Sequence, residues 1–290
     1  MKNIFILLLI LIGPWNRLSA QETLDNTFYV FNNCVRTLPG APDELDDQIA
    51  LIKDLGYDGM GGHHSQDNLV LLDALNKAGL QMPEVYWPVT LLDSGEVSFD
   101  QRLLEIIRKA AHTELLVTLV LSTESKIDDR ESGDQLFAAG IAEIADYAIQ
   151  YDAKIAVYPH VGNYCETVDQ TLRMATMINR DNAGMVFNLC HFLKVEGEKD
   201  WKTQLKKALP YVYMVSLNGT DSGDTQAMDW DRLIQPLGEG TFDTFEVVRF
   251  LKDQDYGEKY GLQCYNIKQD CEIALKKSMA TWKDYQKRVD

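Results

Sequence analysis

Beyond its first twenty residues the sequence has no long apolar run, no Cys-x-x-Cys pair, no glycine-rich phosphate loop and little positive charge for its acid content. Each shortage narrows the function. A helix that crosses a bilayer needs about 20 apolar residues, and nothing after residue 20 approaches that, so this part of the chain reads as soluble. The five cysteines, Cys34, Cys165, Cys190, Cys264 and Cys271, are odd in number and widely scattered. They do not form a disulfide framework or a zinc ribbon, and read as buried thiols with room for one bridge at most. Lysine and arginine total 28 against 44 acidic residues, a net charge of −16. Such a surface repels nucleic-acid backbones and anionic lipid headgroups, so neither is expected as a partner. Basic side chains near the strand ends are few, Lys194 and Lys268 being the clearest. With no phosphate cradle beside them, they disfavour a phosphorylated substrate. No linker, low-complexity run or charge block divides the chain, which argues for one domain. Oligomeric state leaves no signature in it.

The first twenty residues have a different texture. Lys2 is followed by an unbroken apolar run from Ile4 to Ile12, and the stretch closes on Leu18-Ser19-Ala20. That is the order of a secretory signal: a positive start, a short apolar core and a small-residue cleavage site. Pro14 and Trp15 blur the end of the apolar core, and a retained anchor is the alternative reading. The expectation is a leader over 1–20, a domain over 21–290, and a periplasmic or extracellular protein with no membrane role beyond export.

After residue 26 two textures alternate. Short segments rich in Val, Ile, Phe and Tyr give way to longer ones with apolar residues three and four apart, the pattern of βαβ units on a parallel sheet. Strands are expected at Thr27–Asn33, Tyr57–His63, Leu80–Trp87, Leu115–Ser122, Lys154–His160, Gly184–Leu189, Tyr211–Asn218 and Gly261–Tyr265. Helices are expected at Asp43–Leu55, Asp67–Ala78, Phe99–Ala111, Gln135–Gln150, Thr167–Ile178, Trp201–Ala208, Thr244–Lys252 and Asp270–Tyr285. Gly56 and Gly79 sit where helices should end in a left-handed residue. Strict alternation of this kind predicts an α/β fold, a single-domain (β/α)8 TIM barrel.

In such barrels the chemistry lies on the loops that follow the strands. The expected strand ends carry Asn33, His63-His64, Glu84 with Tyr86-Trp87, Tyr158 with His160, Asn188 with His191, Ser216 with Asn218, and Gln263 with Tyr265. Because strand residues alternate faces, Tyr158 and His160 can enter the mouth together, as can Ser216 with Asn218 and Gln263 with Tyr265. Four of the five histidines fall at strand ends, and only His112 is placed on a helix. Which of His63 and His64 points inward depends on a one-residue register. Tyr86 and Trp87 are either core aromatics or a stacking platform for a sugar ring. The glycines flanking Glu239 in Pro236–Asp243 either cap a helix or let backbone approach a ligand closely.

Three segments carry a family resemblance: Ile155–His160 with Glu166-Thr167, Asn179-Arg180 through Gly184–His191, and Pro236–Gly240. In this order and spacing the chain, over nearly all of Phe28 to Trp282, resembles the xylose-isomerase-like superfamily of sugar phosphate isomerases and epimerases, which also includes inosose dehydratases and type 2 AP endonucleases. The resemblance implies a divalent metal held by two glutamates, an aspartate and a histidine. At the matching positions this chain has Tyr158 and Gln263 for the glutamates, Asn188 for the aspartate and Ser216 for the strand-seven histidine. Only His191, which follows the aspartate position, stands as the family has it. Amides keep the shape of carboxylates but lose the charge that holds a hard cation, so the usual cage is dismantled.

Two arrangements follow. A neutral mouth would bind a small carbohydrate through Asn33, Tyr86, Trp87, Tyr158, Asn188, Asn218, Gln263, Tyr265 and Lys194, with His160, His191, His63 and Glu84 as acid–base groups. Alternatively His63, His160, His191 and Glu84 would form a different site for a borderline metal such as Zn²⁺. The expected activity is that of a sugar isomerase or epimerase moving a proton beside a carbonyl. A lyase or hydratase acting on keto-sugars and a non-catalytic sugar-binding barrel are the alternatives.

Overall fold

A computed structural model describes residues 24–289, so the leader-like stretch 1–20 lies outside the described residues. In chain order the first half contains β1 (Phe28–Val30), α1 (Leu45–Leu55), β2 (Gly62–His63), α2 (Asn68–Ala78), β3 (Glu84–Leu91), β4 (Val97–Ser98), α3 (Arg102–Lys109), β5 (Leu116–Thr123) and α4 (Arg130–Ala148). There follow β6 (Lys154–Val157), α5 (Val168–Ile178), β7 (Ala183–Asn188), α6 (Leu189–Glu196), α7 (Trp201–Ala208), β8 (Val212–Leu217), α8 (Trp230–Leu233), α9 (Thr244–Lys252), β9 (Lys259–Leu262) and α10 (Cys271–Val289).

Eight of these strands run parallel in the order β1-β9-β8-β7-β6-β5-β3-β2. The ring closes where residues 58–61 meet β1: Asp58 N–H donates to Phe28 C=O (3.1 Å), Val30 N–H to Gly59 C=O (3.2 Å) and Gly61 N–H to Val30 C=O (2.9 Å). The short β4 folds back antiparallel on the end of β3. Helices cover the outside, so several strands are buried on both faces and their sequences are mostly apolar rather than alternating. β7 is buried throughout, and β5 is buried from Leu116 to Leu121. The last helix is clasped to the first strand by Phe28, whose ring stacks on Trp282 at 4.3 Å.

Local chemistry sets the boundaries. α1 and α2 end at Gly56 (φ +92°) and Gly79 (φ +73°), left-handed conformations that glycine adopts without strain. Asp67 caps α2 by accepting the N–H groups of Leu69 and Val70 (both 3.1 Å). Several boundaries differ from the sequence expectation: β2 and β6 are shorter than expected, β3 and β9 are displaced along the chain, and three further differences have a local cause or consequence. The helix expected from Gln135 starts five residues earlier, because Asp129 accepts Glu131 N–H (3.1 Å) and nucleates it. The stretch after Asn188 is a helix rather than the end of a strand. His112 lies in the turn after α3, with φ +63° and its ring bonded to Asp152 (2.5 Å). All five cysteines are buried free thiols.

Candidate active site

The C-terminal ends of the strands surround a cavity of about 660 Å³, within the range that takes a small organic ligand. Its wall comes from many strands: Asn33 and Arg36 follow β1, His63 ends β2, Glu84 and Tyr86 belong to β3, Tyr158 and His160 follow β6, His191 opens α6, and Gln263 and Tyr265 follow β9. Trp230 and Ile234, from α8 and the residue after it, close one side.

Two histidines form the centre of the site. The rings of His160 and His191 lie 4.2 Å apart, centroid to centroid. The backbone of Val161 bridges their Nδ1 atoms. Its carbonyl lies 2.8 Å from His160 Nδ1 and its N–H points at His191 Nδ1 (3.3 Å). A carbonyl only accepts and a peptide N–H only donates, so the two rings are held in opposite tautomers. His160 carries its proton on Nδ1 and leaves Nε2 bare, whereas His191 carries its proton on Nε2. Burial holds His160 below the ordinary histidine range, against the backbone bond and Glu166, which raise it. Burial, with His160 beside it, brings His191 down to about 3. At neutral pH the pair is an uncharged base beside an uncharged donor.

Glu84 lines the same cavity. β-strand alternation turns Glu84 and Tyr86 inward, and Thr118 on the neighbouring strand donates its hydroxyl to Glu84 Oε2 (2.7 Å). Burial pushes this carboxyl up to about 8; the Thr118 bond and the Lys259 charge offset only part of the effect. At pH 7 it is predominantly the protonated acid. A Cβ on Gly61 would stand 2.6 Å from Glu84 Oε1, so a larger residue there would displace the Glu84 carboxyl.

Tyr158 completes the floor. Its hydroxyl oxygen accepts from the Asn188 amide. Burial raises the phenol well above its usual range, and Gln263 lowers it slightly. The Oε1 of Gln263 is already taken by Asn33 Nδ2 (2.6 Å) and Tyr265 N–H (3.0 Å), which leaves its amide to face the tyrosine. The phenol therefore keeps its own proton to donate.

The opposite wall is different. His63 stacks on Tyr86 (5.4 Å, 5° between planes), and Tyr86 meets Tyr158 edge-on (5.3 Å). Two aromatic rings thus separate His63 from the His160–His191 pair. His63 Nδ1 accepts from Ser65 N–H (3.2 Å), and burial, with the charges of His64 and Arg36, lowers it to about 4. His64 does not line the cavity; it lies against Trp87 and Asp100.

Several expected site residues lie elsewhere. Trp87 faces away from the mouth, fully buried, with its indole N–H on Asp100 C=O (3.2 Å); alternation places it opposite Tyr86. Asn188 does not line the cavity, because its side chain caps α6 by accepting His191 N–H (3.4 Å) while supporting Tyr158. Asn218 is buried and spends its amide on the carbonyls of Gly219 and Leu233 (both 2.7 Å). Lys194 holds the carbonyls of Gln226 (2.9 Å) and Met228 (2.6 Å) and fixes the loop before α8. Glu239 pairs with Lys277 and Gln269 outside the cavity, so its loop is structural. Sequence reasoning missed Arg36, Asn32, Trp230 and Ile234. Arg36, three residues past the Asn32-Asn33 strand end, was the one with a legible signal.

The residues do not fit a metal. His63, His160, His191 and Glu84 all line the cavity and His160 adjoins His191, but among the described residues no group of three or more His, Cys, Asp or Glu side chains is placed to hold an ion. The implied cage positions, Tyr158, Asn188, Ser216 and Gln263, are all neutral here, a donor set unsuited to a hard divalent cation.

A family model described as "Xylose isomerase-like TIM barrel" matches residues 49–284. Among curated proteins, none matches the sequence. Several solved structures share the fold. The IOLI protein with a zinc atom is 18% identical, with a TM-score of 0.70 over 91% of this chain and 99% of its own. D-psicose 3-epimerase with D-tagatose from Clostridium cellulolyticum H10 is 13% identical, with a TM-score of 0.67 over 91% and 99%. A 3-keto-D-glucoside 4-epimerase from E. coli is 12% identical, with a TM-score of 0.67 over 89% and 99%. At these identities the likeness is one of fold.

Proposed function

This chain belongs to the xylose isomerase-like TIM-barrel family, and on that premise we propose that it is a sugar isomerase or epimerase that moves a proton beside a carbonyl with its own side chains. The observation that carries the reading is the Val161 backbone, whose C=O and N–H fix His160 and His191 in opposite neutral tautomers at the cavity wall. Isomerisation next to a carbonyl needs a base for the carbon-bound proton and a donor for the oxygen that gains charge. His160 Nε2 supplies the base. His191 Nε2–H and the Tyr158 hydroxyl supply the donors. The protonated Glu84 carboxyl is a second acid, able to return a proton to carbon from another direction. Tyr86, Trp230 and Tyr265 give apolar faces for the C–H side of a sugar ring.

The fold relatives named above include enzymes acting on sugars and keto-sugars, which supports the substrate class. Elimination beside a ketone would use the same base and acids, so a lyase or hydratase is the second reading. Incubation with keto-sugars in deuterated water separates them. Deuterium appearing at a sugar carbon without net loss of substrate supports the isomerase; loss or gain of water supports the lyase or hydratase. Binding without exchange leaves a sugar-binding barrel. We propose in addition that residues 1–20 are an export leader, making the protein periplasmic or extracellular with a domain from residue 21. Mass measurement of the N-terminus of protein recovered outside the cytoplasm tests this, and an uncleaved Met1 would count against it.

A further inference from the structure

Arg36 is an exception among the arginines. Every other arginine in the described residues lies within 4.0 Å of a carboxylate. Among the described residues Arg36 has no such partner, in a chain with 44 acidic against 28 basic residues, so a shortage of acids is not the reason. It is oriented by neutral groups instead. Its Nη1 donates to Asn32 Oδ1 (3.0 Å) and more distantly to Gln66 Oε1 (3.4 Å), and Asn32 Nδ2 donates to the same Gln66 oxygen (2.5 Å). Two amide oxygens hold the guanidinium in place without cancelling its charge. Among the described residues its Nε and Nη2 make no hydrogen bond.

This guanidinium lines the same cavity as the histidine pair. The rest of the lining carries no competing charge, since the three histidines are neutral, Glu84 is protonated and no aspartate is present. One fixed positive charge therefore faces a cavity that otherwise offers hydroxyls, amides, imidazoles and aromatic faces. A planar guanidinium with free donors matches a carboxylate, which it binds with two parallel hydrogen bonds.

We infer that the substrate is a sugar acid, a uronate-type molecule whose carboxylate is held by Arg36 while its carbonyl end meets His160 and His191. The inference rests on the proposed function, since it assumes that a sugar enters this cavity. It makes Arg36 the residue that sets specificity for charge and leaves proton transfer to the other wall. A dianionic phosphate would meet one cation here with no second basic side chain in the lining, so the monovalent carboxylate is the better match.

Calorimetric titration of the full chain tests the inference, with D-glucuronate and D-galacturonate, the neutral hexoses, and the hexose 6-phosphates as probes. Wild type is expected to bind a uronate about 10- to 100-fold more tightly than its hexose. The ratio should shrink with added salt, fall toward one in Arg36→Gln and survive in part in Arg36→Lys. Arg36 is exposed, and an unchanged melting temperature will show that the variants fold. Equal affinity for hexose and uronate, a preference that survives Arg36→Gln, or preference for the 6-phosphate would each overturn the carboxylate assignment. If neutral keto-sugars exchange deuterium while uronates gain nothing, this inference fails and the proposed function stands. If no sugar of any charge binds or exchanges, both fail.

Discussion

The two walls of the cavity are built from the same materials and do different things. Each follows the end of a barrel strand and each carries histidine. On the β6–β7 side, the Val161 backbone contacts the Nδ1 atoms of both His160 and His191 and gives them complementary protonation without charge. On the β1–β2 side, His63 has its Nδ1 turned to Ser65, stacks on Tyr86, and stands near the one cation of the lining, Arg36. A histidine at a strand end is thus not a role in itself. What decides the role is the partner of the second ring nitrogen, because that partner chooses which nitrogen faces the ligand and whether it gives or takes a proton. On the proposed function, the first wall moves a proton and the second recognises.

The largest expected effect separates the walls directly. His160→Ala removes the base and is expected to lower turnover by about 10²- to 10⁴-fold, whereas His63→Ala should cost less than about 10-fold through binding alone. Steady-state kinetics on both variants, with melting temperatures close to wild type, checks this; an equal loss would erase the distinction.

The next effect sharpens it through pH. Glu84 has a pKa raised on folding, so its contribution to stability is complete below the ordinary value of 4.5 and is lost as pH rises through about 8. The histidines act in the opposite sense. Their folded values lie below 6.5, about 4 for His63 and about 3 for His191, so their contribution is present above 6.5 and is lost as pH falls through the folded values. Between pH 6.5 and 8 Glu84 dominates and stability declines. Glu84→Gln should flatten that decline, raising the melting temperature at pH 9 relative to pH 5 by on the order of 5 °C. A melting curve series across pH with no difference between the proteins would mean that Glu84 is ionised when buried. In turnover, the same carboxyl predicts an alkaline limb near pH 8 that the variant lacks.

A smaller effect tests the support beneath the first wall. Tyr158→Phe removes one donor and is expected to reduce kcat about 10-fold with little change in KM. Smallest is Asn188→Ala, which removes the α6 cap and one bond to Tyr158 and is expected to cost about 1–2 kcal/mol of stability, measured by urea unfolding.

The barrel was legible because alternation of apolar strands and amphipathic helices is a property of the whole chain, and errors of a few residues at the boundaries leave it intact. The cavity was partly legible. Glu84, Tyr86, Tyr158, His160, His191 and Gln263 all line it, as reading the strand ends suggested. Trp87 was misplaced although period two already set it opposite Tyr86. Asn188, Asn218 and Lys194 were misplaced for another reason: short polar and long basic side chains at strand ends often satisfy nearby backbone groups instead of a ligand. Nothing in the local sequence says which demand wins. Trp230 and Ile234 reach the cavity from a four-residue helix whose placement depends on contacts with α6 and Gly219, beyond what local pattern encodes. The tautomers of the histidine pair depend on Val161, an apolar residue that carries no chemical signal in sequence.

The central claim, that the backbone of one residue sets two neutral histidines in opposite tautomers, can be read directly by ¹⁵N nuclear magnetic resonance of the imidazole nitrogens at pH 7. The account predicts protonated Nδ1 with bare Nε2 for His160 and the reverse for His191. Matching tautomers, or a charged ring on either residue at that pH, would contradict it.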